Sequence, residues 1–200
     1  MLFNSNEFLV FLAIVLIAYH SLRSLRWQNM LLLAVSYLFY AAWDWRFCVL
    51  LLITSTVDFV VGRRLADLPA GRQRQMVLAA GLAVNLGMLF FFKYFNFFID
   101  SAVNGLNSLG ILASPVTLAI ILPVGISFYT FQSIAYKLDV YRGIQEPERD
   151  PLIMGLFTAY FPQLGAGPTD RANHILPQFR QRSPVTREQV ESGVVLILLG

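Results

Sequence analysis

Four hydrogen-bonding side chains recur at helical spacing within one apolar stretch of the sequence. Tyr129, Gln132, Ser133 and Tyr136 stand at positions i, i+3, i+4 and i+7, which places them on one face of a helix. In lipid, such a face turns toward protein or water. Two interpretations stay open: hydrogen bonding to neighbouring helices, or the wall of a substrate tunnel. Under the second, Tyr129, Gln132 and Ser133 are candidate lining residues.

A carboxylate stands inside another apolar stretch. Asp58 is costly at membrane depth unless it has a partner or a role. Lys93 is a poor partner, because on the topology argued below it lies roughly 28 Å away, near the far end of the next helix. Asp58 is therefore either an interfacial residue beside Arg63 and Arg64 or part of a pore or active site. Lys93, set among aromatic residues, is interpreted as a snorkelling cation at the interface.

A helix-breaking run follows a later apolar stretch. Residues 161–171 contain two prolines and two glycines and end at Arg171. Non-helical backbone at membrane depth is tolerated only where protein buries it or where it lines a cavity. The run is either a surface turn or a re-entrant functional element. In the second case Arg171 is placed to bind a carboxylate or a phosphate.

Other chemistry-bearing residues give weaker signals. His174 has no triad partner at local spacing, so neither it nor His20 is assigned as a general base. The one cysteine, Cys48, has no internal disulfide partner, and no spacing in the sequence resembles a metal site. We expect no metal and no tightly bound cofactor.

The composition indicates a membrane protein. Hydrophobic residues make up 56% of the 200 residues and charged residues 14%, and the mean hydropathy is +0.60; soluble domains average about 25% charged residues. These values exclude a disordered chain, a coiled coil and an ordinary soluble enzyme. A soluble helical protein would have to pack these apolar helices without lipid. The basic pI near 9.2 reflects few charges rather than a dense basic surface, so no nucleic-acid partner is expected.

Apolar stretches of nearly membrane-spanning length, with at most one charge each, predict an all-α polytopic transmembrane bundle. The predicted spans are approximately 8–24, 27–43, 47–62, 75–98, 116–136 and 151–166, with a seventh, 187–200, that stops short. Residues 104–110 are predicted to be a loop, and Lys137 is predicted to lie where its helix reaches the inner surface. Thr186 and Gln189 form a capping box that starts the last helix. The first apolar stretch is predicted to be a retained helix rather than a cleaved signal.

The positive-inside rule favours an N-terminus on the outside. Trp43 and Trp45, which flank Asp44, then lie in a short outer turn, as interfacial aromatic residues do. The segment after Pro168 is the main exception, because its arginines would face outward unless the chain re-enters there. On this orientation the inner cations are Arg23, Arg26, Arg63, Arg64, Arg72, Arg74, Lys137, Arg142 and Arg149, and the outer ones are Arg46, Lys93, Arg171, Arg180, Arg182 and Arg187.

An ordered set of short motifs resembles one known family. Each motif alone is weak, but together they span nearly all 200 residues and resemble the membrane-bound O-acyltransferases. The bacterial branch that they resemble contains alginate O-acetyltransferase and the teichoic-acid D-alanyl transfer protein. The motifs are Met-Leu-Phe-Asn-Ser at 1–5, Ser-Tyr-Leu-Phe-Tyr at 36–40, Trp-Asp-Trp-Arg-Phe at 43–47, Phe-Lys-Tyr-Phe-Asn-Phe at 92–97, residues 123–133, Asp-Val-Tyr-Arg-Gly at 139–143, and Phe-Pro-Gln with Ala-Gly-Pro and Arg171 in 161–171.

The resemblance implies a fold and an activity. It implies a ring of many helices around a central funnel, of which residues 1–200 are the N-terminal part of a single domain in the bacterial inner membrane. It implies transfer of an acyl group from a cytoplasmic donor, acetyl-CoA or another, to a hydroxyl of an exported polysaccharide such as alginate. A periplasmic acetyltransferase partner would complete the transfer. Thr169 departs from the aliphatic residue usual after the Gly-Pro pair.

The resemblance also places the catalytic residue outside these 200 residues. The signature histidine of the family follows a Phe-Trp-Arg-Arg-Trp-like stretch, which does not occur here. It is expected beyond Gly200, so residues 1–200 alone are expected to be inactive, with Tyr129, Gln132, Ser133 and Arg171 as wall residues. A non-enzymatic transporter or channel subunit remains the alternative, although no inverted repeat supports it.

Overall fold

The computed structural model describes residues 5–110, 123–166, 171–182 and 186–199. All regular structure in these ranges is helical, which confirms the all-α prediction. The helices are α1 (Asn6–Ser21), α2 (Leu25–Asp44), α3 (Cys48–Asp67), α4 (Arg72–Leu89), α5 (Phe95–Ser108), α6 (Ile126–Arg142), α7 (Pro151–Ala159), α8 (Phe161–Ala166), α9 (Ala172–Arg180) and α10 (Arg187–Leu199).

A tight turn separates α2 from α3. Residues Trp45–Phe47 form a single 3₁₀ turn, and the carboxylate of Asp44 caps it by accepting hydrogen bonds from the backbone N and the Nε of Arg46, at 3.0 and 3.2 Å. The indoles of Trp43 and Trp45 are exposed beside the turn. The turn lies between the predicted spans 27–43 and 47–62, as the sequence predicted.

Helix α4 continues into α5 through a π-helical turn at Phe90–Tyr94. The predicted loop at 104–110 is wrong, because α5 remains helical to Ser108 and the chain turns only at Gly110, whose φ is +79°. Asparagine, glycine and serine lower helix propensity only modestly, so a continuing helix outweighs them.

Two left-handed glycines bound α6. Gly125 has φ +75° and Gly143 has φ +74°, a conformation that glycine adopts without strain. The helix therefore begins at Ile126 and runs to Arg142, past the predicted end of the 116–136 span. Residues 111–122, which hold the start of that span, lie outside the described residues.

The predicted 151–166 helix is interrupted. Asp150 caps α7 by accepting a hydrogen bond from Leu152 N at 2.9 Å, and the backbone leaves helical geometry at Tyr160, before α8. Further on, the predicted capping box is present at α10. Thr186 N donates to Gln189 Oε1 at 3.0 Å, and Gln189 N donates to Thr186 Oγ1 at 3.3 Å.

Contacts between helices define two ends of the bundle. At one end, Arg74 of α4 donates to Tyr141 O of α6 at 2.9 Å; we call this the arginine-rich end. It also holds the α1–α2, α3–α4 and α6–α7 connections. At the other, the aromatic end, Tyr40 donates to Val124 O at 2.8 Å, and the α2–α3 turn approaches the end of α4.

Part of the helical structure is suited to crossing a membrane. Two helical stretches of the described chain, Leu25–Asp67 and Arg72–Tyr94, are long and apolar enough. The first stretch includes the turn at Asp44 and so comprises α2 and α3. Asn6–Ser21 is apolar but shorter. These helices agree with the prediction of a membrane protein.

Candidate functional site

The polar face of α6 turns into the protein. Tyr129, Ser133 and Tyr136 are each 1% exposed, and Gln132 is partly buried. The face packs against α3, α4 and α7. The four residues that the sequence predicted to share one helix face thus lie along one interhelical interface.

Ser133 is the centre of a buried polar cluster on this face. Its hydroxyl donates to Asp58 Oδ1 at 2.5 Å. It accepts from Lys137 Nζ at 2.8 Å and from Asn85 Nδ2. A serine hydroxyl has one donor and two acceptor positions, so Ser133 is saturated by three helices at once.

Asp58 and Lys137 complete the cluster as an ion pair. Both side chains are 0% exposed, and Lys137 Nζ also donates to Asp58 Oδ1. Asn85, on α4, is 2% exposed. The charges are therefore neutralised by each other and by the hydrogen bonds that Ser133 provides, as buried charges require.

The structure gives both charges a buried position. Asp58 is not an exposed carboxylate beside Arg63 and Arg64, because no part of its side chain is exposed. Lys137 does not lie where the helix meets the surface, since α6 continues to Arg142 and buries the ammonium group against α3. The residues next to Asp58 and Lys137 in sequence do not indicate that the two charges pair with each other.

Two glycines allow the helices to approach at this cluster. A Cβ on Gly62 of α3 would lie 2.6 Å from the hydroxyl oxygen of Tyr136. A Cβ on Gly81 of α4 would lie 3.0 Å from Lys137 Cδ. Small residues permit such close packing between helices in membranes. The cluster and the glycines thus form one tight junction of α3, α4 and α6.

The two other candidates on the face make separate contacts. Gln132 Nε2 donates to Phe157 O of α7 at 3.0 Å. Tyr129 packs in an apolar cluster with Tyr40 and Ile126, and its hydroxyl has no hydrogen-bond partner among the described residues. Asp58 Oδ2 and Asn85 Oδ1 are likewise buried acceptors without a described donor.

Arg171 precedes α9 in extended backbone and is exposed. The residues just before it, 167–170, lie outside the described residues. Among the described residues, no hydrogen bond or ion pair joins Arg171 to Tyr129, Gln132 or Ser133, so its place in the same wall stays a prediction.

The remaining sequence candidates lie near the bundle surface. His174 is exposed on α9, and His20 is exposed at the end of α1, where its Nδ1 lies 2.9 Å from Leu16 O. Lys93 is exposed in the π-helical turn and donates to Ser127 Oγ at 3.3 Å. Lys93 is thus not the partner of Asp58. Within the described ranges, no three His, Cys, Asp or Glu side chains are grouped as metal ligands.

A second polar cluster lies at the arginine-rich end. Glu148 is 3% exposed, and its Oε1 accepts from the backbone N of Arg149 and of Asp150, at 2.8 and 2.9 Å. Arg180 donates to Glu148 Oε2 through Nη2 at 2.7 Å. Beside this cluster, a cleft of about 120 Å³ is lined by Arg63, Ala66, Asp67, Pro147 and Arg149.

The sequence contained a signal for the Asp58–Lys137 pair. On the predicted topology Asp58 lies about one turn from the inner end of its helix, and Lys137 stands at the inner end of another. Counting depth at about 1.5 Å per residue places both at similar depth. Asn85, an amide within an apolar stretch, gives the same kind of signal. Local sequence gives no corresponding signal for Glu148 and Arg180, which are joined by tertiary contacts alone.

Several known proteins are similar to this chain over most of its length. It is 39% identical over 186 residues to a probable alginate O-acetylase of Pseudomonas aeruginosa, covering 92% of this chain and 35% of that protein. It is 37% identical over 204 residues to a probable alginate O-acetylase of Pseudomonas putida, covering 100% of this chain and 41% of that protein. A peptidoglycan O-acetyltransferase of Helicobacter pylori is 28% identical, over 92% of this chain and 39% of its own length.

The matches cover only part of the relatives. The chain spans about two fifths of the length of the curated relatives that it matches. No family model matches the chain, and no solved structure matches it. The similarities confirm the resemblance inferred from the ordered motifs.

Proposed function

Because this chain resembles the membrane-bound O-acyltransferases of the alginate-acetylating kind, we propose that the full protein transfers acetyl groups to a hydroxyl of an exported polysaccharide. Alginate is the first acceptor to test. The supporting observation is the identity of 35–39% to four probable alginate O-acetylases over 92–100% of this chain. These four matches favour alginate over peptidoglycan, because the peptidoglycan O-acetyltransferase is less similar, at 28% identity.

In this proposal the activated acyl group arrives from the cytoplasmic side. The donor is acetyl-CoA or another acyl donor, bound as a substrate. A downstream histidine takes the proton of the acceptor hydroxyl, whose oxygen then attacks the acyl carbon. The bond between the acyl carbon and the donor breaks, and the histidine returns the proton to the leaving thiolate or alkoxide. The hydroxyl that first receives the group belongs to the polysaccharide itself or to a periplasmic acetyltransferase partner, which then passes the group to the polysaccharide. The protein lies in the inner membrane as a multi-pass protein with its N-terminus outside.

In this proposal, helices α3, α4, α6 and α7 form the wall along which the acyl group passes from donor to acceptor. The α3–α4–α6 junction fixes α6 through Ser133 and Lys137, and Gln132 fixes α7 to α6. A rigid wall keeps bound groups within the narrow range of positions that transfer requires. Ser133 thus acts on the reaction by positioning helices, since its three hydrogen-bonding positions are already filled.

The decisive experiment is acetyl transfer by the full-length protein. Membranes containing it, with and without the periplasmic acetyltransferase partner, are supplied with radiolabelled acetyl-CoA, then with other acyl donors, and with alginate, cellulose, peptidoglycan or teichoic acid as acceptor. We expect label in alginate, and no label with residues 1–200 alone. Export of a solute by the full-length protein without acetylation of any glycan would replace the proposal with the transporter alternative.

A further inference from the structure

Glu148 and Arg180 join the start and the end of one chain segment. Glu148 lies just before α7, and Arg180 is the last residue of α9. The guanidinium donates to Glu148 Oε2 through Nε at 3.0 Å and through Nη2 at 2.7 Å. The backbone N of Glu148 also donates to Tyr136 Oη of α6 at 3.0 Å. The chain therefore enters and leaves this segment at nearly the same point.

Two further contacts fix the end of α9 at the arginine-rich end. Asn29 Nδ2 of α2 donates to Phe179 O at 2.8 Å, and this contact is buried. Arg182 Nη2 donates to Leu22 O at 3.2 Å. Leu22 and Asn29 flank the start of α2, which is the connection from α1. Three independent contacts thus place residues 179–182 beside the ends of α1, α2 and α6.

The middle of the segment reaches far toward the aromatic end. Phe161 N donates to Ser36 Oγ in the second half of α2, at 3.2 Å. A Cβ on Gly125 would lie 2.4 Å from Leu164 O, so α8 touches the turn that begins α6. Helices α7 and α8 therefore leave the arginine-rich end and approach the opposite end, whereas α9 finishes back where α7 began.

We propose that residues 148–166 and 171–182 form a re-entrant element, which enters and leaves the membrane on the arginine-rich side. The predicted span at 151–166 then carries the chain inward without delivering it to the opposite side. Burial against α2, α3 and α6 supplies the protein surroundings that broken helices need at membrane depth. The inference holds whether or not the proposed acetyl transfer does, because it rests only on contacts within this chain.

The charge distribution supports this topology. Arg180 and Arg182 are two of the six cations that a simple crossing would place on the outer side. Re-entry moves both to the side that holds Arg63 and Arg149, and leaves Arg46 at the other. The bias in loop cations therefore becomes stronger, as the rule requires of short loops.

Cysteine accessibility tests the proposal directly. In full-length protein without native cysteines, single variants Arg182→Cys, Arg64→Cys and Trp45→Cys replace exposed residues. Each is treated with a membrane-impermeant maleimide in intact spheroplasts and in inverted vesicles. We expect Arg182→Cys to react in the preparation that labels Arg64→Cys and not in the one that labels Trp45→Cys. Labelling together with Trp45→Cys would overturn the proposal.

A second measurement tests the contact that closes the element. Glu148→Arg and Arg180→Glu each place two like charges together, whereas the double variant restores an opposite pair. We expect each single variant to lower the thermal midpoint in detergent and the double variant to recover most of the loss. Losses that simply add would contradict the contact. Gln181→Cys, also exposed, replaces Arg182→Cys if that variant does not accumulate.

Discussion

Lys137 of α6 and Asp58 of α3 form an ion pair in which neither side chain is exposed. The two residues are separated by 79 positions in sequence, yet each is the main charge near the other. Removing one partner leaves a buried charge without compensation, which costs about 3–5 kcal/mol, whereas replacing both with neutral groups is often nearly neutral. The pair therefore specifies which helices meet more than it adds to stability.

The first prediction separates these two effects. Asp58→Asn and Lys137→Met, made singly, should each destabilise the full-length protein by about 3–5 kcal/mol, while the double variant should lose much less. Thermal unfolding in detergent measures the difference. Arg46→Gln is the control, because its pair with Asp44 is exposed, with the arginine side chain 70% accessible, and such pairs contribute at most about 1 kcal/mol. Equal losses in the single and double variants would contradict the pairing.

Ser133 carries a second prediction. Ser133→Ala removes the acceptor for Asn85 and Lys137 and the donor to Asp58, so buried polar groups lose partners at a cost of about 1–3 kcal/mol. The loss should appear as reduced thermal stability and reduced acetyl transfer by the full-length protein. Ser127→Ala is the matched control on the same helix, since the hydrogen bond that Ser127 makes within the described ranges, to Lys93, is exposed. A Ser133→Ala variant as stable as Ser127→Ala would show that the cluster is dispensable.

Gly125 and Gly143 provide a third, closely matched comparison. Both have φ near +75°, so an alanine at either position meets the same strain, about 1–2 kcal/mol. Only at Gly125 does the new Cβ meet backbone, 2.4 Å from Leu164 O, while nothing lies within 4 Å at Gly143. Gly125→Ala should therefore lower the thermal midpoint more than Gly143→Ala. It should also expose α8 to proteolysis.

A similar comparison tests helix packing at the cluster. Gly62→Ala places a Cβ 2.6 Å from Tyr136 Oη, whereas Gly87→Ala meets nothing within 4 Å. Overpacking of a tight contact costs about 1–3 kcal/mol, so Gly62→Ala should be destabilised and Gly87→Ala should not. The loss caused by Gly62→Ala should be smaller in a Tyr136→Phe background, if the steric contact is the cause. Tyr136→Phe alone is the reference, because it also removes the hydrogen bond from Glu148 N. An equal loss in both backgrounds would assign the effect to another contact.

Much of the fold follows from local rules. The apolar stretches, the capped turn at Asp44 and the capping box at Thr186 each predict an element that the structure contains, because each depends on neighbours within four residues. The predicted loop at 104–110 failed because weak helix formers do not stop a helix that is already propagating. The left-handed turn at Gly125, which begins α6, depends on the close approach of Leu164, far along the chain.

The sequence by itself determined an all-α membrane protein, the polar face of one helix and the resemblance to an acyltransferase family. These features lie in composition, in helical period and in ordered motifs, all readable along the chain. Only the tertiary structure decided that Asp58 pairs with Lys137, and that Glu148 meets Arg180 so that α9 ends beside the start of α7. The physical reason is that a charge in an apolar stretch indicates that a partner is required. Which residue is the partner depends on how helices far apart in sequence pack together.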